Sequence, residues 1–320
     1  MKSLRILLLS LAALCFTSCE YKDLCYDHSH VTNLNITYNW NTCPEANPSG
    51  MSLYFYDLEA VKDVERYDLS GKEGGTVRLP IGSYELITYN NDTEANLYRY
   101  NDQLSTIECY TRPSSLEEGT LMQGTSPMPI AAKAEGQKVA LQPDPLWCGT
   151  SNPFEMKLSA DQSITITPQS RVKHVSLTIT DVPNLKYSVQ FGGAISGMAG
   201  GVVMATGQLT EDLVILPFQV FSDGVSTLTA EFYTFGHCPH NDEGVYNEHL
   251  LTIYVILSDG SMWYYTYDVS DLLNDTTLNP DSDDCHIELS GLPIPKPIVN
   301  GSGFKPDVDD WENEDIEVDM

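Results

Sequence analysis

Positive charge is scarce in this chain of 320 residues: 17 Lys and Arg stand against 45 Asp and Glu, a formal net charge of −28. Nucleic-acid binding through phosphates needs clustered cations and is therefore excluded. Acidic charge of this size favours solubility and repels an anionic lipid surface, so charge cannot supply membrane attachment. Long apolar runs are lacking as well. After residue 16 none approaches the roughly 20 residues a spanning helix needs. No amphipathic segment longer than about two helical turns stands out. Catalytic signatures are missing too. There is no G-x-S-x-G, no H-E-x-x-H and no phosphate loop. The glycine-rich stretch 192–201 lacks the Lys-Ser/Thr of such a loop, and Gly301-Ser302-Gly303 lacks a third glycine. So many acids make carboxylate pairs unavoidable, and none can be singled out as catalytic. The expectation is a protein that is not an enzyme and has no cofactor.

What is present begins at the amino terminus. Lys2 and Arg5 precede an apolar run from Ile6 to Phe16, and the small residues Thr17 and Ser18 lead into Cys19. That order of charged, apolar and small segments is a secretory signal peptide. Its ending on cysteine resembles bacterial lipoprotein signals, in which cleavage falls just before the cysteine and the thiol carries the lipid. Phe16 stands where those signals usually have a branched aliphatic residue. The resemblance implies a leader over 1–18, lipidation at Cys19 and a polar tether over 19–30. Each buried lipid methylene would contribute roughly 0.8 kcal/mol to membrane attachment. An ordinary signal with an incidental cysteine is the alternative. Of the eight cysteines, Cys15 leaves with the leader and Cys19 is assigned. Cys25, Cys43, Cys109, Cys148, Cys238 and Cys285 remain, an even number in an exported chain, and sequence cannot choose among their pairings.

Further along, short runs with a period of two dominate. In Val31 to Trp40, Leu34, Ile36, Tyr38 and Trp40 face one way and four Asn or Thr residues face the other, a half-buried strand. Met51–Tyr56, Thr76–Leu79 and Ser83–Asn90 continue the pattern, with turns at Asn47-Pro48-Ser49-Gly50 and Pro80-Ile81-Gly82. Residues 91–150 read as irregular apart from Lys138–Leu141, and Gln142–Pro153 reads as a linker. Ser163–Thr167, Val172–Thr180, Val202–Thr206, Leu213–Phe221 and Val225–Phe235 are further strands, and Gly192–Gly201 reads as a loop. Leu250–Tyr267 is the clearest hairpin, because Asp259-Gly260 is a dipeptide suited to positive φ. Ser270–Leu273 suggests one helical turn and His286–Leu289 a closing strand. Many short strands between Gly, Pro and Asn turns favour an all-β antiparallel sandwich fold. After Leu292 the chain is proline-rich and then strongly acidic, and 293–320 is expected to be a disordered tail.

The lipoprotein cysteine, the Tyr54-Phe55-Tyr56-Asp57 strand end and LPIGSYELITYNND at 79–92 together resemble the fimbrillin-like lipoproteins of Bacteroidales, including fimbrial anchor subunits. RVKHVSLTIT at 171–180 followed by SGMAGG at 196–201 resembles the start of their second domain. The resemblance implies two transthyretin-like β-sandwich domains, set at 31–160 and 161–292, on a lipid-anchored protein of the outer membrane, exposed at the cell surface. Its implied partners are the membrane, through the lipid, and fimbrial subunits. Stalk subunits of that family polymerise by adding a strand of one subunit to a sheet of the next. The acidic tail is a poor donor of such a strand, which points to an anchor that accepts one. The candidate edges to accept it are Val31–Trp40 and its sequence neighbour Met51–Tyr56, between which the sequence does not decide. In Pro80-Ile81-Gly82-Ser83-Tyr84, Gly82 permits a tight turn and Tyr84 opens an inward-facing row.

Three sets of side chains carry other chemistry. Cys25, His28 and His30, with His237, Cys238 and His240, are the clusters of metal-ligand type, but their spacing fits no standard zinc motif and no metal is expected. Trp263, Tyr265 and Tyr267 share one face of a strand and Tyr264 takes the other. Exposed, the row would stack on sugar rings, making a glycan-binding surface lipoprotein the alternative function; buried, it is sandwich core. Asp275-Thr276-Thr277 resembles an O-glycosylation sequon of exported Bacteroidales proteins, with Thr276 as acceptor.

Overall fold

A computed structural model describes residues 30–59, 64–124, 126–158, 162–237, 247–274, 284–297 and 310–316. The first strands are β1 (Val31–Tyr38), β2 (Gly50–Asp57), β3 (Glu65–Ser70), β4 (Gly74–Pro80), β5 (Gly82–Asn90), β6 (Asn96–Arg99) and β7 (Glu108–Thr111). A five-residue helix α1 (Leu116–Thr120) precedes β8 (Lys138–Val139), β9 (Trp147–Thr150), β10 (Phe154–Met156), β11 (Gln162–Ile166), β12 (Gln169–Ser170) and β13 (Lys173–Thr180). Then come β14 (Ser188–Ala199), β15 (Gly201–Val203), β16 (Leu213–Gln219), β17 (Phe221–Ser222), β18 (Leu228–Thr234), β19 (Leu250–Leu257) and β20 (Met262–Asp268). Helix α2 (Ser270–Asn274), β21 (Asp284–Ser290) and β22 (Trp311–Ile316) complete the order. Short β-rich elements dominate, as the period-two runs predict.

Two pairs of sheets enclose two cores. In the first pair, the order β11-β1-β4 faces β12-β9-β5-β2-β3, with β10 beside β5. Leu34 and Ile36 of β1 pack there with Leu53, Phe55, Tyr84 and Leu86. Alternation decides which residues enter: Leu34 and Ile36 are fully buried and Asn33 and Asn35 are exposed. In the second pair, β17-β18-β13-β21 faces β22-β20-β19-β14-β16-β8. Val175, Leu177 and Phe232 from one side meet Phe218, Ile253 and Tyr265 from the other. The Asp259-Gly260 turn closes the β19–β20 hairpin with φ +89° at Gly260, as its sequence requires.

A third core joins the two pairs. Tyr56, Ile87, Tyr89 and Cys148 of the first pair meet Met204 and Phe235, with Cys109 and Val202 from the small sheet β15-β7-β6, and Ile107 just before β7, in the same core. This explains why β2 and β5 read as nearly continuous apolar runs: Leu53 and Phe55 face the first core while Tyr56 faces the joint. A fourth core lies on the outer face of the β22-β20-β19-β14-β16-β8 sheet. The segment 112–141 leaves β7 and crosses that face, laying Leu116, Met122, Met128, Ala131 and Ala134 over Ala194, Ile215, Tyr254 and Ile256.

Several sequence expectations change. Gly192–Gly201 is no loop: most of it lies in β14, the twelve-residue central strand of the large sheet. Residues 142–153 hold β9 rather than a linker. Gln162–Ile166 pairs in parallel with β1 and so joins the first sheet pair, although the sequence division at 160/161 puts it in the second domain. The tail is not wholly unstructured. Ile294 is buried in the second core, and Trp311–Ile316 forms β22 along β20. Neither expected edge is an edge: β1 lies between β11 and β4, and β2 lies between β5 and β3.

Candidate functional site

The aromatic row is the first candidate the fold decides. Tyr265 and Tyr267 are buried at 0% and 1% exposure, and Trp263 packs partly buried against the same core. The Tyr265 hydroxyl donates to the Pro293 carbonyl at 3.2 Å and that of Tyr267 to the Gly291 carbonyl at 3.0 Å. Burial pushes both phenols up. Tyr265 and Tyr267 are sandwich core and offer no ring face to a sugar, and Trp263 turns part of its ring to the same core.

The metal-type clusters come apart. His30 opens the first sheet, its carbonyl accepting from the Ile81 N–H at 3.1 Å. His237 meets a histidine absent from the sequence clusters: its ring lies 5.4 Å from that of His249, edge to face. His249 is fully buried, and its Nδ1 lies 3.4 Å from the Ser196 carbonyl. Burial, and then the neighbouring His249, hold His237 down to about 4; burial lowers His249 too. Among the described residues no group of three His, Cys, Asp or Glu side chains is placed to hold a metal. Cys25, His28, Cys238, His240, Cys19 and Thr276 lie outside the described residues. Cys109, Cys148 and Cys285 are free thiols, and Cys43 donates to the Pro168 carbonyl at 3.8 Å. Burial raises the Cys109 thiol and pushes that of Cys148 up to about 12, so neither supplies a thiolate nucleophile at neutral pH.

Sheet edges are the remaining candidate, because a bare edge presents unpaired N–H and C=O groups to an incoming strand. Among the described residues, the two long edges of the second sheet pair are β21 and β22. β21 pairs with β13 on one side, in parallel, over seven residues. The Cys285 and Leu289 carbonyls accept from the Ser176 and Thr180 hydroxyls of β13. The odd-numbered residues therefore turn their backbone groups toward β13, and His286, Glu288 and Ser290 turn theirs outward. Ile287 and Leu289 keep the inner face in the core. The opposite sheet differs: its edge strand β20 is covered by β22, whose Glu312, Asn313, Glu314 and Asp315 are exposed. Trp311 fastens one end of β22, edge-on to Tyr254 at 5.6 Å, with its Nε1–H donating to the Ser126 carbonyl at 3.3 Å. Sequence reasoning missed both features. β21 was visible only as a short closing strand, and the charges of β22 hid its pairing.

An all-β body of two sheet pairs, with a long edge at β21 that has no second partner among the described residues, is the class this geometry defines. The chain belongs to the family described as "Domain of unknown function (DUF5119)", whose model matches residues 18–219. It is 26% identical over 233 residues to a Bacteroides ovatus protein named "Putative fimbrium anchoring subunit Fim4B". That match covers 72% of this chain and 64% of the relative, so the chain spans less than two thirds of that protein's length. Among solved structures, a "putative adhesin" from Bacteroides ovatus superposes over 95% of this chain and 97% of its own, with TM-score 0.57 and 21% identity. A second "putative adhesin" from Bacteroides ovatus matches 82% of this chain and 88% of its own, with TM-score 0.51 and 9% identity. These likenesses establish a shared fold.

Proposed function

We propose that this protein is a non-enzymatic, lipid-anchored component of the cell envelope that serves as an anchor or assembly subunit of a surface fimbria. Cys19 carries the lipid and holds the mature chain at the outer membrane, exposed at the cell surface. The body comprises two transthyretin-like sandwich domains, and fimbrial subunits are its partners. The relative named as a fimbrium anchoring subunit supports this reading. The observation that carries it is β21, a seven-residue edge whose outward backbone groups at His286, Glu288 and Ser290 can pair with a strand from an incoming subunit.

The test is capture of a fimbrial subunit by the purified protein. Glu288→Pro removes one outward N–H and leaves the Cys285 and Leu289 bonds to β13 in place. Capture is expected to fall at least tenfold in this variant, with thermal stability little changed. Undiminished capture would reject β21 as the acceptor. Cys19→Ala is expected to leave an unprocessed or soluble product; a processed protein still held at the membrane would reject lipidation.

A further inference from the structure

The same strand that buries Tyr265 turns Tyr264 outward, into a cleft of about 230 Å³. β20 supplies Tyr264, Thr266 and Asp268 to its floor, with Leu250 of β19 beside them. The three-residue turn at Ala132–Ala134 forms one wall and presents Lys133. β22 forms the other. Its parallel register sets Asn313 opposite Tyr264 and Asp315 opposite Thr266, so all four side chains share the outer face.

We propose that this cleft binds one neutral pyranose residue of a glycan. The reading does not depend on the fimbrial one.

Sugar recognition needs an aromatic face for the C–H side of a ring and polar groups for its hydroxyls. Tyr264 supplies the first. Its ring is half-buried and braced by Tyr254, 6.3 Å away and nearly parallel. Tyr254 is itself fixed by its hydroxyl bond to the Pro129 carbonyl at 2.7 Å. The polar groups stand around it. The side chains of Thr266, Asn313 and Asp315 line the cleft and make no hydrogen bond with the described residues, and each can donate to or accept from a sugar hydroxyl as its chemistry allows. One oxygen of Asp268 is taken by the Ser270 N–H and hydroxyl, at 3.0 and 2.5 Å. Lys133 is held 3.1 Å from Glu248 and can donate its remaining protons. Size favours a single ring, since pockets for drug-sized ligands run to about 300–1,000 Å³. Charge sets the class. Asp268, Asp315 and Glu248 outnumber Lys133, so an anionic sugar would meet net repulsion and a neutral one would not.

The experiment is saturation-transfer NMR on the full mature chain with glucose, galactose, mannose, N-acetylglucosamine, glucuronic acid and N-acetylneuraminic acid. At least one neutral sugar is expected to bind in the millimolar range, and both acids are expected to give no transfer. Tyr264→Ala and Asp315→Ala should each weaken that binding at least tenfold. Asp315 is exposed, so its replacement leaves folding intact even if loss of Tyr264 does not. Tyr110→Ala, in the separate cleft beside Arg99, should change nothing. Failure of every neutral sugar to bind, preference for an acidic one, or equal binding by Asp315→Ala would overturn the proposal. Capture of a fimbrial subunit bears on the other reading alone.

Discussion

Tyr264 and Tyr265 are adjacent in the chain and point to opposite sides of one sheet. Alternation revealed that Trp263, Tyr265 and Tyr267 share a face, but alternation alone cannot say which face meets a core. That depends on β21 and on residues 291–294, which close over the row from more than twenty positions away. Tyr265→Phe leaves the Pro293 carbonyl without its donor and is expected to cost about 0.5–1.5 kcal/mol by urea unfolding. Tyr265→Ala opens a cavity as well and should cost about 3–5 kcal/mol. A value near zero for the alanine variant would contradict the burial. His237 and His249 give a pH signature at the same scale. Both are held below the ordinary histidine value by burial, His237 to about 4. Their neutral forms are favoured in the folded state, so the unfolded chain takes up protons first as pH falls. The stabilisation is fully present above about pH 6.5 and is lost as pH drops from there through about 4. Thermal melts between pH 7 and 4.5 should show this decline, and His237→Gln should flatten it. An unchanged slope in that variant would mean that other groups cause the decline. The pairing was not legible, because His249 stands alone between Glu248 and the apolar run that starts at Leu250, with no motif around it.

Among the elements, β14 shows why composition misled. Gly192-Gly193-Ala194 has the letters of a loop, yet the small residues are there because large ones press on them. A Cβ on Gly193 would lie 2.2 Å from the Phe218 ring, and one on Gly192 would lie 2.5 Å from the Met122 sulfur and 2.7 Å from Thr120. The strand is central and crowded on both faces. Gly193→Ala is therefore expected to destabilise by about 1–3 kcal/mol through overpacking, although alanine has the better strand propensity. A neutral or stabilising result would show that Phe218 can move aside. The strands β1 and β13 were legible because large apolar residues alternate along one face, and β2, β5 and β19 because they are short, nearly continuous apolar and aromatic runs. β22 was illegible for the opposite reason. Its exposed Glu312, Asn313, Glu314 and Asp315 contribute almost nothing to a core, and the strand is held by backbone pairing and by Trp311 at one end. Removing residues 310–320 should lower the melting temperature only modestly but leave β20 as a bare edge. Self-association in sedimentation velocity is the expected consequence. A truncated chain that stays monomeric would show that β20 needs no cover.

Over the whole molecule, the central question is whether the two sheet pairs behave as separate bodies. Regular repeats of strand and turn suggest two domains, and the sequence places a cut at 160/161. The strand pairings cross that cut in both directions. β11 and β12, which follow it, pair with β1 and β9, while β8, which precedes it, pairs with β16. The segment 112–141 read as irregular because it has no periodicity of its own, yet it covers the outer face of the second pair's large sheet. Its apolar residues are spaced to fit another element's surface, and no local pattern can show that. The joint core adds Tyr56, Ile87, Tyr89, Ile107, Cys109, Val202, Met204 and Phe235, all buried. Fully exposing each large apolar side chain costs about 1.5–3 kcal/mol, so separating the pairs would cost an amount comparable to or above the total stability of an ordinary domain, about 5–15 kcal/mol. Neither pair can then persist once the other has unfolded. Calorimetry of the mature chain is expected to show one transition, with calorimetric and van't Hoff enthalpies in agreement. Met204→Ala, at a fully buried position in the joint, should shift that single transition down by the equivalent of about 2–5 kcal/mol. Chains cut at 160/161 should fold on neither side. Two resolved transitions in the unaltered protein, or a stable fragment beginning at 161, would show that the joint core does not couple the sandwiches.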